Sequence, residues 1–172
     1  MTRILAFDIS ASPGVAVLEI KNGKPRLITV DHVETDSSAT DAQRYEYVKS
    51  LATRVCYEYR PFDVIVREKF IKGGSKRGTQ LVFGAWSAID TALGQFGYAV
   101  DDKDEIVASR VKKTIGGKGG ASKVEVAEGV IRILGEEIRP LLYTEKGRLL
   151  DDRADAIAIG LTYAIEKGMI ET

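Results

Sequence analysis

The sequence predicts an α/β fold with a mixed five-stranded sheet flanked by helices on both faces. Short apolar or β-branched segments alternate with helical ones in the order β-β-β-α-β-α-β-α-α-α. A tight hairpin at the start requires antiparallel strands, whereas the helical crossovers between later strands imply parallel ones. The 172 residues suffice for a sizeable core, and no shift in composition marks a boundary, so we expect one domain over 1–172.

Three strands are predicted to open the chain. Residues 3–9 form a short apolar run that ends in an acid, and residues 14–20 alternate and are rich in β-branched side chains. The pair Asn22-Gly23 then predicts a tight turn into a third strand over 26–33. We therefore expect these strands to be antiparallel.

The middle of the chain predicts two long helices around one buried strand. Apolar residues recur every three or four positions over 42–59, and a proline ends this helix. The segment 62–67 (FDVIVR) predicts a buried strand with Glu68 at its end. A polar segment over 73–78 then precedes a second helix over 79–96.

The last third predicts a short strand and three helices. We expect the strand within 98–108, a short helix over 109–115 and another over 123–134, with Ser122 as its N-cap. The final helix covers 151–167.

Two connections separate these helices, namely the loop GGKGG over 116–120 and a segment containing Pro140. The loop lacks the G-x-x-x-x-G-K-[ST] pattern of a phosphate-binding P-loop, which argues against an ATPase. A flexible DNA-contacting loop and a plain connector remain as alternatives for GGKGG.

Composition disfavours several classes of protein. Hydrophobic residues make up 44% of the chain, too many for a disordered protein, and no apolar run reaches the roughly 18 residues of a membrane helix. The N-terminus lacks the features of a signal peptide. Cys56 is the only cysteine, so no internal disulfide forms, and we expect a cytoplasmic protein. The single histidine, His32, argues against Ser-His-Asp chemistry and is expected to be a surface or strand residue.

Basic residues are concentrated in two stretches, although the formal net charge is zero. Residues 69–89 contain four and 109–124 contain five, with no acid in either stretch. Such polarised charge is typical of nucleic-acid contact, and two solvated loops are the alternative. The nine residues are Lys69, Lys72, Lys76, Arg77, Arg110, Lys112, Lys113, Lys118 and Lys123.

Five acids adjoin strongly apolar segments. Asp8 and Glu68 end predicted strands, and Asp151, Asp152 and Asp155 begin an Ala- and Ile-rich helix. Acids three apart lie on the same side of a helix, and close carboxylates repel unless a cation lies between them. Hard oxygen ligands suit Mg²⁺ or Mn²⁺, so these elements are predicted to converge on a metal pair.

Each acid also has an ordinary structural interpretation. Asp8 can cap the following turn, and Glu68 can pair with Arg67 or Lys69. The helix dipole favours acids in the first turn of any helix, so the final group needs no metal. The residues alone leave these alternatives open.

Four segments carry a resemblance to a known family. They are ILAFDIS (4–10), VIVREKF (64–70), SRVKKTIGGKGGASKVEV (109–126) and DDRADAIAIGLTYA (151–164). In this order, and over nearly the whole chain, they resemble RuvC-like Holliday junction resolvases of the ribonuclease H-like fold. The last two segments are the most specific, and the final one is similar to the family form D-x-x-D-A-x-A-I-A.

The resemblance implies an endonuclease that hydrolyses phosphodiesters in four-way and other branched DNA, with roles in recombination and repair. It selects four metal ligands and two catalytic lysines, with two Mg²⁺ or Mn²⁺ ions per site, and leaves Asp151 outside. These residues are Asp8, Glu68, Asp152, Asp155, Lys112 and Lys123.

The resemblance also implies DNA contacts and a two-fold homodimer. The helix over 79–96, with Leu81, Trp86 and Ile89, is the candidate interface, and a core role for Trp86 is the alternative. The expected DNA-contacting residues are Lys69, Phe70, Lys72, Lys76, Arg77, Arg110, Lys113 and Lys118.

Two positions depart from the family pattern. Ile9-Ser10 follow the first aspartate where the family has Pro-Gly, and this form resembles the phage-encoded branch, which implies a bacterial or phage-infected host cell. Ile71 occupies the place of the family's junction-centre aromatic, with Phe70 adjacent. An RNA-processing nuclease of the same superfamily and a non-catalytic DNA-binding scaffold are therefore the alternative functions.

Overall fold

The computed structural model describes residues 1–70 and 75–170, and in these ranges it has one five-stranded mixed sheet. The strands are β1 (Thr2–Asp8), β2 (Gly14–Lys21), β3 (Lys24–His32), β4 (Val64–Glu68) and β5 (Glu105–Ile106). The helices are α1 (Asp41–Tyr59), α2 (Lys76–Gln95), α3 (Ala108–Gly116), α4 (Lys123–Leu134), α5 (Arg139–Leu142) and α6 (Asp151–Glu166). Ile71 and Lys72 lie outside the described residues.

The strand order is β3-β2-β1-β4-β5, with antiparallel pairs on one side of β1 and parallel pairs on the other. The predicted hairpin is confirmed, because both Asn22 (φ 52°) and Gly23 (φ 74°) have the positive φ of a two-residue turn. The α1 crossover makes β4 parallel to β1, which places the carboxyl ends of both strands at one edge of the sheet.

Side chains alternate between two cores, one on each face of the sheet. Along β1, Leu5 and Phe7 pack with α1 and α2, whereas Ile4 and Ala6 pack with α3, α4 and α6. This alternation follows from the two-residue period of a strand. It confirms the prediction of helices on both faces.

The final helix, α6, is buried on nearly all sides rather than on one apolar stripe. Every residue over 156–164 is buried, because α6 lies between the sheet and α4. Small residues allow this close packing: a Cβ on Gly160 would lie 2.6 Å from a Leu18 methyl group and 3.2 Å from the Ala6 Cβ.

Several predicted boundaries were wrong. The strand expected within 98–108 has only two residues, and a 3₁₀ turn (Asp102–Asp104) precedes it. Helix α2 begins at Lys76, because the Ser75 hydroxyl accepts a hydrogen bond from the Gly78 amide. Pro140 lies in the short helix α5, within its first two positions, where a missing amide hydrogen costs nothing.

Within residues 1–70 and 75–170, no helix combines the length and the apolar character needed to span a membrane.

Candidate active site

The ends of two neighbouring strands place Asp8 and Glu68 side by side. Phe7 of β1 is in register with Arg67 of β4 in a parallel pair, so the next residue of each strand emerges at the same edge. Both acids follow the alternation of Ala6 and Val66 and face α6. The pairing expected between Glu68 and Arg67 is wrong, because Arg67 lies on the opposite face.

The first turn of α6 faces these strand ends. Gly14 permits this approach, since a Cβ there would lie 1.9 Å from the backbone oxygen of Asp152. Gly14 is paired with Asp8 across the β1–β2 ladder. A side chain at this position would therefore push Asp152 and Asp155 away from the strand that carries Asp8.

Burial and mutual repulsion perturb all four carboxyl groups. Asp8 is 8% exposed, and burial, followed by the charges of Asp155 and Glu68, raises its pKa well above the usual range. Burial is also the largest cause of the raised pKa values of Glu68, Asp152 and Asp155. A group of carboxylates in this environment requires positive charge to remain ionised.

That positive charge comes from Lys112 and, in direct contact, from Lys123. Its ammonium contacts the Asp155 carboxylate directly and lies 3.7 Å from Asp151 Oδ2. Burial alone lowers the pKa of Lys123, but Asp155 and Asp8 raise it above its usual value. Lys123 is the first residue of α4, where the hydroxyl of Ser122 and the carboxylate of Glu125 form a capping box that holds the backbone.

The second predicted lysine, Lys112 of α3, lies beside the same group. It lines a cleft of about 240 Å³ that opens next to the carboxylates. Both charged and apolar residues line this cleft. The lining residues are Glu68, Ala108, Val111, Lys112, Lys123, Val126, Asp155 and Ile159.

The donor set has the chemistry of a hard-cation site, consisting of carboxylate oxygens around the buried Asp8. As the side chains stand, no three acidic, histidine or cysteine residues in the described part of the chain enclose a metal ion. The Lys123 ammonium holds the Asp155 carboxylate. The residues therefore fit a divalent cation, provided that Lys123 leaves Asp155.

The geometry bears on two alternative interpretations of the acids, namely Asp8 as a cap of the following turn and the α6 acids as partners of the helix dipole. The turn after β1 has Ser10 Oγ, not Asp8, as the acceptor for the Ser12 amide (3.0 Å). Asp151 and Asp152 lie in the first turn of α6, as the helix dipole favours, but no side chain caps that helix. Asp151, which sequence comparison with the family left out, joins the group through Lys123.

The single histidine supports α6 from outside the carboxylate group. His32 Nδ1 accepts a hydrogen bond from Arg153 Nε (2.9 Å), so the proton of a neutral ring lies on Nε2. Arg153 also donates to the Leu141 carbonyl (3.1 Å), which ties the first turn of α6 to both β3 and α5. Only the position of His32 in a strand was predictable, because its partner is more than 100 residues away.

The predicted DNA-contacting residues divide into two groups. Lys69, Lys76 and Lys113 are exposed. Three further basic residues of the predicted set pair with acids of the same chain. These pairs are Arg77 with Asp41, Arg110 with Glu166, and Lys118 with Glu125.

An aromatic group lies where β4 ends against α2. Phe70 packs edge-to-face on Phe83 with ring centroids 4.9 Å apart, and Phe83 contacts Trp86 at 6.2 Å. Beneath Trp86 lies the guanidinium of Arg67, 3.8 Å from the ring centroid. Arg67 also pairs with Glu105 (2.9 Å) and Asp90 (2.7 Å), which joins β4, β5 and α2.

The predicted interface on α2 needs one correction. Ile89 is fully buried in the core between the sheet, α1 and α2 and cannot contact a second chain. Leu81 and Trp86 are partly buried. Phe83, which was not predicted, is 51% exposed on the same helix.

Comparison with known proteins gives one consistent family. The family model described as crossover junction endodeoxyribonuclease RuvC matches residues 5–163. A protein of that name from Prochlorococcus marinus is 31% identical over 168 residues, covering 96% of this chain and 98% of the relative. Another from Rickettsia bellii is 27% identical over 156 residues, covering 91% and 92%.

Solved structures agree with this comparison. Thermus thermophilus RuvC in complex with a Holliday junction substrate superposes with a TM-score of 0.78 at 26% identity, covering 98% of this chain and 96% of that one. The yeast mitochondrial Holliday junction resolvase Ydc2 superposes with a TM-score of 0.66 at 14% identity, covering 98% and 80%. The latter likeness concerns the fold alone.

Proposed function

The chain belongs to the RuvC family of crossover junction endodeoxyribonucleases, and from this membership we propose that it cuts four-way DNA junctions by phosphodiester hydrolysis. One observation carries the proposal for this chain's own residues: Asp8 and Glu68 end adjacent parallel strands opposite Asp152 and Asp155 of α6. The family is one of metal-dependent nucleases, and a converging set of carboxylates is what such chemistry requires.

We propose Asp8, Glu68, Asp152 and Asp155 as the ligands of two Mg²⁺ or Mn²⁺ ions. Their oxygen donors suit these cations, and because burial and mutual repulsion raise the pKa values of all four acids, a bound cation would favour their ionised forms. Bound divalent cations supply Lewis-acid stabilisation of the charge that develops on phosphate oxygens.

Two lysines would assist from the other side of the cleft. Lys112 and Lys123 line it together with Glu68 and Asp155, so their ammonium groups can hold a phosphate and offset its developing charge. The cleft also contains apolar side chains, and such surroundings strengthen interactions between charges.

Binding of the DNA arms would rely on phosphate contacts. Exposed lysines such as Lys69, Lys76 and Lys113 suit recognition of DNA shape without reading of bases. Arg77, Arg110 and Lys118 would first have to leave their acidic partners.

The aromatic pair of Phe70 and Phe83 presents a surface on which an unstacked base can lie, next to Glu68. This pair is our proposed substitute for the aromatic that the family places at position 71.

A two-fold dimer would place one site on each of two DNA strands, and closed dimers are the commonest protein oligomers. We infer that residues 1–172 act as one nuclease domain and that α2 contributes to the dimer. A junction-cutting enzyme works where DNA is present, so we place it in the cytoplasm of a bacterial or phage-infected cell.

The decisive experiment compares wild-type protein with Asp8→Asn and Asp155→Asn on a fixed four-way junction. With Mg²⁺ or Mn²⁺, both variants should bind the junction with near wild-type affinity and fail to cut it. Asp102→Asn, which removes an exposed acid of the 3₁₀ turn, is the matched control and should cut normally. Full cleavage by either site variant would contradict the metal assignment.

Parallel digests decide between the alternative functions. Preferential cleavage of structured RNA would favour the RNA-processing nuclease, and binding without any cleavage by wild-type protein would favour a scaffold. We expect symmetric cuts on two opposite strands of the DNA junction, which neither alternative produces.

A further inference from the structure

The Lys123 ammonium lies between two aspartates of unequal exposure. It contacts Asp155, whose side chain is 14% exposed, and its Nζ is 3.7 Å from Asp151, whose side chain is 47% exposed. Residues four apart on a helix share one side, so the two carboxylates offer an inner and an outer position for one ammonium.

A divalent ion and the Lys123 ammonium compete for the inner position. If Asp155 binds a divalent ion, a like charge arrives beside the Lys123 ammonium, and repulsion between close charges is strong where water is partly excluded. Metal binding therefore favours movement of Lys123 away from Asp155. The flexible four-carbon stem of lysine allows this movement, while the capping box keeps the α4 backbone in place.

On the basis of the function proposed above, we propose that Asp151 is a positioning residue, which holds the Lys123 ammonium in the outer position while a divalent cation occupies Asp155. This contact keeps the ammonium beside the cleft it shares with Lys112, where a phosphate would bind. Without Asp151, the displaced ammonium would lose its outer carboxylate partner. Asp151 therefore favours metal binding without being a ligand.

The proposal predicts energetic coupling between Asp151 and Lys123 in metal binding. Loss of Asp151 has two effects in wild-type protein, because it removes one negative charge near the site and also removes the outer position. In a protein that lacks the Lys123 ammonium, only the charge effect remains. A double-mutant cycle separates the two.

The experiment measures Mn²⁺ binding to the full chain, without DNA, from the electron paramagnetic resonance signal of free Mn²⁺. Asp151→Asn should weaken binding roughly fivefold in wild-type protein and less than about twofold in the Lys123→Met background. Asp151→Glu should restore most of the affinity, because it keeps a carboxylate in reach. Asp102→Asn controls for the loss of one remote negative charge, and Asp151→Ser is a second neutral variant should Asp151→Asn fold poorly.

Equal weakening by Asp151→Asn in both backgrounds would overturn the proposal, since Asp151 would then act through its charge alone. In that case wild-type protein still binds Mn²⁺, and the proposed nuclease function stands. If wild-type protein shows no saturable Mn²⁺ binding, the metal assignment fails, and the role of Asp151 fails with it.

Discussion

At the scale of single residues, burial and neighbouring carboxylates disfavour the ionised form of Asp8. It is buried at the end of a central strand, three further carboxylates lie near it, and the ammonium groups of Lys123 and Lys112 offset part of their charge. Such a group costs stability whenever it is ionised without a metal. The site therefore resembles other functional sites in which stability is lost so that a ligand can bind.

Replacing the buried carboxylate by a neutral group of the same shape should relieve this repulsion. We expect Asp8→Asn to raise the free energy of unfolding by about 1 kcal/mol in the presence of a chelator, measured by urea denaturation. The same substitution abolishes cleavage, so stability and activity should change in opposite directions. An Asp8→Asn protein less stable than wild type in chelator would contradict the assignment of Asp8 as an uncompensated charge.

The raised pKa values also predict how stability depends on pH. Unfolded carboxyl groups titrate near about pH 4, and those of Asp8, Glu68, Asp152 and Asp155 titrate higher in the folded protein. At a pH between the unfolded and the folded pKa values, the folded state binds more protons than the unfolded state. The free energy of unfolding therefore falls as pH rises. In a chelator, the protein should therefore lose stability as the pH rises above about 4, and urea titrations of Asp8→Asn should show a weaker decline.

Stabilising acids elsewhere do not reverse this slope in the same window. The Lys118 and Ser122 side chains and the Ser122 amide lower the pKa of Glu125 to about 2, so its contribution is lost only under more acidic conditions. A rise in stability with pH in chelator, above the range in which unfolded carboxyl groups titrate, would show that the four site carboxylates are not the dominant groups.

The acids were predictable from sequence, whereas their partners were not. Asp8 and Glu68 stand out because charged residues end otherwise apolar strands, and this signal is local. The contacts of Lys123 with Asp155 and Asp151 join residues about thirty positions apart. They depend on how α4 crosses α6, which side-chain periodicity does not specify.

At the scale of secondary structure elements, the approach of α6 to the sheet determines the site. Gly14 and Gly160 both lie at this contact, but they meet different groups. A Cβ on Gly14 would strike the backbone oxygen of Asp152, whereas a Cβ on Gly160 would meet the mobile end of Leu18. The Asp152 backbone cannot move away from a Cβ on Gly14 without displacing the first turn of α6. The Leu18 side chain, by contrast, can move away from a Cβ on Gly160 without a shift of the helix.

Gly14→Ala and Gly160→Ala therefore form a matched pair. We expect Gly14→Ala to lower the free energy of unfolding by about 2 kcal/mol or more and to reduce cleavage strongly at a temperature where it remains folded. Gly160→Ala should cost less than about 1 kcal/mol, because higher helix propensity offsets part of the overpacking. Urea denaturation and junction cleavage measure both, and equal effects would argue against Gly14 as the contact that positions α6.

The start of α4 offers a second matched pair. Ser122 and Thr40 each form a capping box, with Glu125 and Gln43 respectively, but only Ser122 precedes a site residue. We expect Ser122→Ala and Thr40→Ala each to cost about 1 kcal/mol of stability. Junction cleavage should fall several-fold more for Ser122→Ala, since only this change loosens Lys123. A similar loss of activity in both variants would attribute the effect to stability alone.

Element order was predictable to a large extent, and boundaries were less so. The hairpin at Asn22-Gly23 and the helix that starts at Asp151 have strong local signals. The two-residue strand β5 has none, because pairing with β4 over Glu105 and Ile106 defines it. The full burial of α6 was also hidden, since a helix between two layers loses the amphipathic pattern that identifies surface helices.

At the scale of the whole molecule, the net charge is zero because acidic residues elsewhere balance the two basic stretches over 69–89 and 109–124. We expect junction binding by Asp8→Asn to weaken steeply with salt, as phosphate contacts require. Lys113→Ala should reduce the slope of log affinity against log salt by about 1.

Arg139→Ala is the control, because Arg139 is held by Glu128 and Glu136 on α4 and the adjoining turn. It should leave the salt slope unchanged. Both slopes can be measured by fluorescence anisotropy with a labelled junction. A salt slope equal to that of wild type for Lys113→Ala would remove this residue from the DNA contact surface.

The alternation of side chains along β1 and β4 makes the sheet a partition. The four site carboxylates, with Lys112 and Lys123, lie on the α6 side, whereas α1 packs on the opposite face. Among the described residues, the two cores have no buried side chain in common, so a substitution in one core does not directly change the packing of the other. A lineage, or an engineer, can therefore rebuild the exposed surface of α1 to suit a new partner while the hydrolytic half is inherited intact.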